Sequence, residues 1–396
     1  MKHSYYFLFS LLILLLQFGC KGEPQQKNET INIEDGPINN VKGGATSTSD
    51  MDVGAPIVMR SRDKVEIYNI ARDSNFRIER SVTTKNYKNG TAINVFSSGI
   101  LQFEVPLRMD YPVEDWKYEG VDSVAAISDI EGSYDALLSW LKGNSIIAED
   151  LKWSFGNNHL IFNGDMMDRG DEVFQSLWLI YKLEAEAEMQ GGKVHFIFGN
   201  HEQLNIQGFF DKANLRYVNR RYFNEADVIG LDYSKWLSNQ TELGRWIRSK
   251  NTILLINNEL FVHGGISPKL IKSGLSIQEI NDITRATMDI SSKEYDKTQM
   301  LLAREDGPLW YRGLADEDLT ENQVDEILNY FDCNRIIIGH TMINGDEIQP
   351  LYSGKVIPID LAVKKNFRKG IVKGMLLTSE GLFELDNKNK TQLIEP

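Results

Sequence analysis

The chain has 396 residues, 42% of them apolar, enough for one large domain plus an appendage. Its 43 Lys and Arg against 56 Asp and Glu leave a net charge of −13, which argues against a nucleic-acid binder, since that needs a basic face. Two cysteines, Cys20 and Cys333, exclude a disulfide framework.

In chain order, Lys2 and the apolar run Tyr5 to Leu16 come first. The run is too short to span a bilayer, which takes about 20 apolar residues, and reads as an export signal. It ends at Gly19-Cys20 before polar Lys21-Gly22-Glu23, which resembles a bacterial lipoprotein signal with Cys20 as the lipidated residue. A plain cleaved signal or an uncleaved anchor is the alternative. Each reading places the rest of the chain outside the cytoplasm, in the bacterial cell envelope. With lipid on Cys20, Cys333 is left as a free thiol in the apolar stretch Phe331 to Ile338 and is expected to be buried and inert.

Residues 21–55 are polar, aperiodic and rich in Gly, Asn, Ser and Thr, and read as a flexible tether. Residues 56–118 read as a small β extension. Val65-Glu66-Ile67-Tyr68 and Phe76-Arg77-Ile78 alternate with period two, and Asn89-Gly90 is a hairpin-turn signal. From residue 119 to about 390, strands and helices alternate. Val124 to Ile127, Leu160 to Phe162, Val194 to Phe198 and Arg335 to Ile338 read as buried strands. Thr252 to Val262 reads as a hairpin across Asn257-Asn258, and Val356 to Leu361 and Gly374 to Leu385 as late strands. Tyr134 to Leu141, Asp171 to Met189 and, with interruption, Asn224 to Ser249 read as helices. Leu177, Ile180 and Leu183 share one face of the second helix, and Gly191-Gly192 stops it. Glu184-Ala-Glu-Ala-Glu188 reads as a solvated helix face. The fold class is α/β, a β-sandwich flanked by helices, with a small N-terminal β extension.

Three strings follow apolar runs: Ser128-Asp129-Ile130-Glu131-Gly132, Gly164-Asp165-Met166-Met167-Asp168-Arg169-Gly170 and Gly199-Asn200-His201-Glu202. Each alone is weak. In order, they put carboxylates, an amide and an imidazole at successive strand ends, as a two-metal hydrolase site requires. Val262-His263-Gly264-Gly265 and Ile338-Gly339-His340-Thr341 repeat the pattern of a strand running into histidine. His3 lies in the signal, and His159 and His195 read as structural. Glycines 132, 164, 170, 199 and 264 fit tight backbone beside such a site.

These strings resemble the calcineurin-like metallophosphoesterases and, within them, the phosphoprotein phosphatases. Leu204-Asn205-Ile206, Gly208, Arg216-Tyr217-Val218 and Gly307-Pro308-Leu309-Trp310-Tyr311-Arg312 are similar to the bacterial Shewanella-like phosphatases. The resemblance implies two metal ions. Asp165 would bridge them, Asp129 and residue 131 would complete the first, and Asn200, His263 and His340 the second. A water activated by both ions would attack phosphorus. His201 would act as general acid, oriented by Asp168, and Arg169 and Arg312 would clamp the phosphoryl oxygens. Arg304 competes with Arg312 for that role, and Asn205 either shapes the site or holds a turn.

One position departs from the pattern. The family has His where this chain has Glu131. Glu131 would ligate directly, giving a harder site that favours Mn, Mg or Fe over Zn, or reach the metal through water, or mark a lost first site. The cofactors implied are two metal ions, Mn favoured and Fe, Mg or Zn possible. The implied function is hydrolysis of a phosphoester, foremost on phosphoserine, phosphothreonine or phosphotyrosine in a protein. The alternatives are a dinucleoside polyphosphate or other small-molecule phosphoesterase, and a catalytically weak cell-envelope binding protein.

Overall fold

The computed structural model describes residues 52–72, 78–208, 217–343, 345 and 347–394. The expected signal segment, Cys20 and residues 21–51 of the expected tether lie outside the described residues, as do Phe76, Arg77 and Arg216.

Strands β1 (Asp52–Val53), β2 (Ile57–Arg60), β3 (Lys64–Arg72) and β4 (Ile78–Asn86) form one antiparallel sheet; β5 (Ala92–Ser97) pairs with β6 (Ile100–Pro106). Period two holds in β3, where Val65 and Ile67 are buried and Glu66 is exposed. Asn89-Gly90 is a turn, with Gly90 at φ 78°, but not a hairpin, because β4 pairs with β3 and β5 with β6. Turn residues fix local backbone; the strand partner is decided by which faces can be buried together.

Eleven further strands follow: β7 (Lys117–Tyr118), β8 (Ser123–Ile127), β9 (His159–Phe162), β10 (Lys193–Phe196), β11 (Ile253–Ile256), β12 (Glu259–Val262), β13 (Arg335–Ile338), β14 (Val356–Pro358), β15 (Lys373–Thr378), β16 (Gly381–Asp386) and β17 (Thr391–Leu393). They build two sheets, ordered β10-β9-β8-β15-β16-β17 and β14-β13-β12-β11-β7. Strands β8, β9 and β10 are parallel, as are β12, β13 and β14. Strand β7, inside the stretch read as extension, runs parallel to β11 at the edge of the second sheet. Between β11 and β12, Asn257 and Asn258 both have positive φ, the geometry of a tight two-residue hairpin.

Helices α1 (Tyr134–Gly143) and α2 (Val173–Met189) fall near their expected places; α3 (Asn200–Gln207) was not expected, and α4 (Arg220–Ile229) follows it. The expected interrupted helix from Asn224 to Ser249 is α4, a 3₁₀ turn at Tyr233–Lys235 and a helix at Glu242–Ile247. Strand alternation makes four layers. Val124, Ala126 and Ile161 pack between the sheets against Leu254, Phe261 and Ile337. Ala125, Ile127, Leu160 and Phe162 turn to α1 and α2. Leu255, Leu260, Val262 and Ile338 turn to helices Ile277–Thr287 and Glu321–Phe331 on the other side.

Helix α2 is buried on every face from Val173 to Leu183, beyond the single face its sequence suggested. The β extension covers the outer side: Trp178 Nε1 donates to the Pro56 carbonyl at 3.0 Å, and Gln175 Nε2 to that of Phe96 at 3.3 Å. The solvated reading of Glu184 is also corrected. Its carboxylate pairs with Arg108 at 2.9 Å and Lys250 at 2.6 Å, and accepts from Trp246 Nε1 at 2.6 Å. Burial raises its pKa, but Lys250 and Arg108 outweigh this and hold it below the usual glutamate range. His159 and His195 are structural, in contact with each other at 3.0 Å. Cys333 is free among the described residues and half-buried, less enclosed than expected, and burial pushes its thiol up to about 12.

Candidate metal centre

The C-terminal ends of the two parallel strand sets deliver the chemistry. Asp129 follows β8, Asp165 follows β9, Asn200 lies beyond β10 at the start of α3, His263 follows β12 and His340 follows β13. Open α/β sheets keep their sites at such ends. The loops after β8 and β9 are joined by backbone bonds from Asp129 N to Gly164 O (3.1 Å), Glu131 N to Asp165 O (3.0 Å) and Gly132 N to Met166 O (3.0 Å). Asp129, Glu131, Asp165, Asp168, Arg169 and His340 all have φ between 48° and 72°. Side chains rarely adopt that conformation, which costs on the order of 1 kcal/mol or more per residue, so the surrounding bonds must enforce it.

Two buried clusters share Asp165. Asp165, His263 and His340 present ligand atoms within 4.8 Å of one another, and so do Glu131, Asp165 and His201. His263 Nε2 lies 3.1 Å from Asp165 Oδ2 and 3.0 Å from Asn200 Oδ1. The His263 Nδ1–H donates to the Asn163 carbonyl at 2.8 Å, which turns Nε2 toward the cluster. Asp129 Oδ2 lies 2.5 Å from Ser128 Oγ and accepts from His340 N at 3.1 Å. Glu131 forms an ion pair with Arg169.

The electrostatics fit cations. Burial, then Asp360, pushes the Asp129 carboxyl well up, and burial lifts Glu131 to about 7 against the pull of Arg169. Burial would raise Asp165 too, but His263 and His201 outweigh it and hold it down. Burial, with His263 beside it, pushes His340 down to about 2, so its ring is neutral, and its buried Nε2 has no hydrogen-bond partner among the described residues. A neutral imidazole with an orphaned nitrogen beside crowded carboxylates has the chemistry of a metal ligand set. Asp129, Glu131 and Asp165 offer oxygens for one ion; Asp165, Asn200, His263 and His340 offer a mixed set for a second.

His201 stands beside this set. Its Nδ1 is 2.5 Å from Asp168 Oδ2, and its Nε2 is 3.7 Å from Asp165 Oδ2. Burial pulls its pKa down, but Asp165 and Asp168 overcome this and lift it to about 9. Asn205 Nδ2 donates to Asp168 Oδ1 at 2.9 Å and Tyr233 donates to Asn205 Oδ1 at 2.8 Å, which ties Asn205 to the site through Asp168. Arg169 stacks over Tyr217 and is partly exposed. The exposed Arg312 donates from Nη1 to the His340 carbonyl and Thr341 Oγ1, both at 3.0 Å. All ten expected site residues therefore meet at one edge of the sandwich.

Sequence reasoning missed two carboxylates. Glu202 is fully buried and accepts from the backbone N–H of Gly199, Asp165 and Met166 at 2.9 Å and of Met167 at 3.1 Å. It shapes the loop that carries Asp165. The third position of a helix behind a glycine was the available signal. Asp360 is buried beside Asp129 and was hidden within the expected strand Val356 to Leu361; β14 stops at Pro358, so Asp360 lies at a strand end like the others.

Comparison with known proteins agrees with this geometry. The chain is 31% identical over 235 residues to Shewanella-like protein phosphatase 1 of Plasmodium berghei, covering 57% of this chain and 63% of that protein, just under two thirds of its length. It is 24% identical to Shewanella-like protein phosphatase 2 of Arabidopsis thaliana, covering 64% and 75% of the two chains. The crystal structure of a cold-active protein-tyrosine phosphatase from a psychrophilic Shewanella superposes with a TM-score of 0.77 at 33% identity, covering 87% of this chain and all of that one. The family profile of the calcineurin-like phosphoesterases matches residues 123–344, the stretch from β8 past His340, and this chain belongs to that family.

Proposed function

We propose that this chain is a metal-dependent phosphoprotein phosphatase, held outside the cytoplasm by lipid on Cys20. The observation that carries the catalytic reading is that Asp165 is common to two buried ligand clusters, with the His201–Asp168 pair beside them. The match to the whole of a protein-tyrosine phosphatase, over 87% of this chain, supports a phosphorylated protein as substrate.

Bound ions would supply Lewis acidity and an acidified water. The chain does the rest. Asp168 fixes the His201 ring through Nδ1, so that Nε2 holds the proton given to the leaving oxygen. Arg169 and Arg312 hold phosphoryl oxygens with planar, fixed charge. The carboxylate-rich first group, with Glu131, supports hard ions, manganese first and iron or magnesium next.

The test is metal analysis joined to turnover. Protein loaded with manganese is assayed on p-nitrophenyl phosphate, on phosphoserine, phosphothreonine and phosphotyrosine peptides, and on dinucleoside polyphosphates. Two ions per chain and best turnover of a phosphopeptide are expected. Best turnover of a polyphosphate would replace the protein substrate with a small molecule. Fewer than two ions and no turnover would leave a binding protein. Fractionation of cells expressing Cys20→Ser checks the tether: the variant should leave the membrane fraction.

A further inference from the structure

Beyond the metal ligands, one short segment opposes the charge of the whole chain. Lys364, Lys365, Arg368 and Lys369 place four cations within six residues and no carboxylate, in a chain of net charge −13. The helix Val363–Phe367 anchors them: Val363 and Asn366 are buried, and Asn366 Nδ2 donates to the Leu361 carbonyl at 2.6 Å. All four cations are exposed. Lys364 Nζ donates to the Arg169 carbonyl at 2.9 Å, which ties the helix to the loop carrying the phosphate clamp.

This helix forms a wall of the catalytic cleft. A cavity of about 260 Å³ is lined by Asp129, Glu131 and Arg169 together with Lys364, Lys365 and Arg368. A recess of about 130 Å³ continues from it past Lys365 to Lys369, sharing Met342 and Ala362 with the first. Lys365, Arg368 and Lys369 form no ion pair among the described residues. A solvated face mixes both signs; this one does not.

We propose that this basic wall docks acidic side chains that flank the phosphorylated residue of a protein substrate. The proposal rests on the phosphatase reading above. The wall sets four cations and no carboxylate along the path leading out of the site, which attracts an acidic segment. Charges screen over about 8 Å at physiological salt, so these cations act on residues close to the phosphate in the substrate chain. The continuation past Lys365 extends the surface beyond the space of one phosphoryl group, as an extended peptide requires.

Binding is measured first, because it does not depend on turnover. Two fluorescent peptides carry a non-hydrolysable phosphonate, one with acidic and one with neutral flanks, and are titrated into manganese-loaded full-length protein. The acidic peptide should bind about tenfold tighter at low salt, the scale of two or three exposed ion pairs, and the ratio should fall as salt rises. Lys365→Ala/Arg368→Ala should bring the ratio near one, whereas Lys88→Ala, exposed in the β extension beside the cavity at the opposite strand ends, should keep it. Equal binding of the two peptides by wild type, or an unchanged ratio in the double variant, overturns the proposal. So does tighter binding of a dinucleoside polyphosphate that depends on the same two side chains. Loss of p-nitrophenyl phosphate turnover with the ratio intact would count against the hydrolase reading alone.

Discussion

Glu131 and Arg169 form an ion pair at the mouth of the metal centre, each on a backbone with positive φ. Relatives with histidine at residue 131 would lack this pair. The carboxylate adds one negative charge to a cluster that already holds Asp129, Asp165 and Asp360, and it takes up part of the charge of Arg169.

Glu131→His should therefore change two properties together. Zinc should be retained more readily relative to manganese, read by metal analysis after dialysis against both. With one anion fewer, the acid limb of the pH profile should move to lower pH. An unchanged profile and unchanged metal preference would show that Glu131 does not act on the metals.

The Asp168–His201 contact should control orientation and proton affinity. Asp168→Asn should lower kcat by about 10²-fold or more, the scale of a positioned general acid, with a smaller change in KM. The general acid works below its pKa, so activity is lost as pH rises through it. Removing the carboxylate that helps lift His201 should move the alkaline limb to lower pH. Asn205→Ala should shift both in the same direction by less, since it acts on His201 through Asp168. Steady-state kinetics across pH separates the two variants.

Glu202 gathers four backbone N–H groups, so Glu202→Gln turns an amide NH2 toward backbone donors in a buried site. A loss of roughly 2–4 kcal/mol in denaturant unfolding is expected, with reduced metal content because the Asp165 loop loosens. Gly164→Ala tests the same loop from the other side. Gly164 has φ 87°, and an added Cβ would lie 2.4 Å from His263 Nδ1. Metal analysis should show loss of ions even where circular dichroism shows a folded chain.

Glu184 joins the β extension to α2 and the helix at Glu242–Ile247, and its charge is stabilising. Its pKa lies below the ordinary glutamate value of 4.5. The stability it contributes is therefore present above that value and is lost as pH falls through it. Glu184→Gln should cost about 2 kcal/mol near neutral pH, the scale of breaking a partly buried ion-pair network, and the difference from wild type should shrink below pH 4.5. Urea unfolding at several pH values measures the gap.

Much of the site was legible because its signals are local. A strand, a turn and a charged residue lie within a few positions of one another, so Asp129, Asp165, Asn200, His263 and His340 stand out in the chain itself. Residues whose meaning depends on a partner far away did not. Glu184 shows a polar helix repeat, and only Arg108 and Lys250 turn it inward. Asn89-Gly90 shows a turn, and only the burial of neighbouring sheets decides that its flanking strands pair elsewhere.

The sequence by itself determined the main strands of both sheets, the first two helices, the residues that stand as candidate ligands and the departure at Glu131, because periodicity and short strings encode backbone conformation and chemistry directly. Tertiary structure alone decided that the parallel strand ends converge on one edge, that Glu202 and Asp360 belong to that edge, and that the Lys364 to Lys369 cations face the cleft. Those relations join residues tens to hundreds of positions apart, and they exist only once both sheets bury their apolar faces against each other and against the helices.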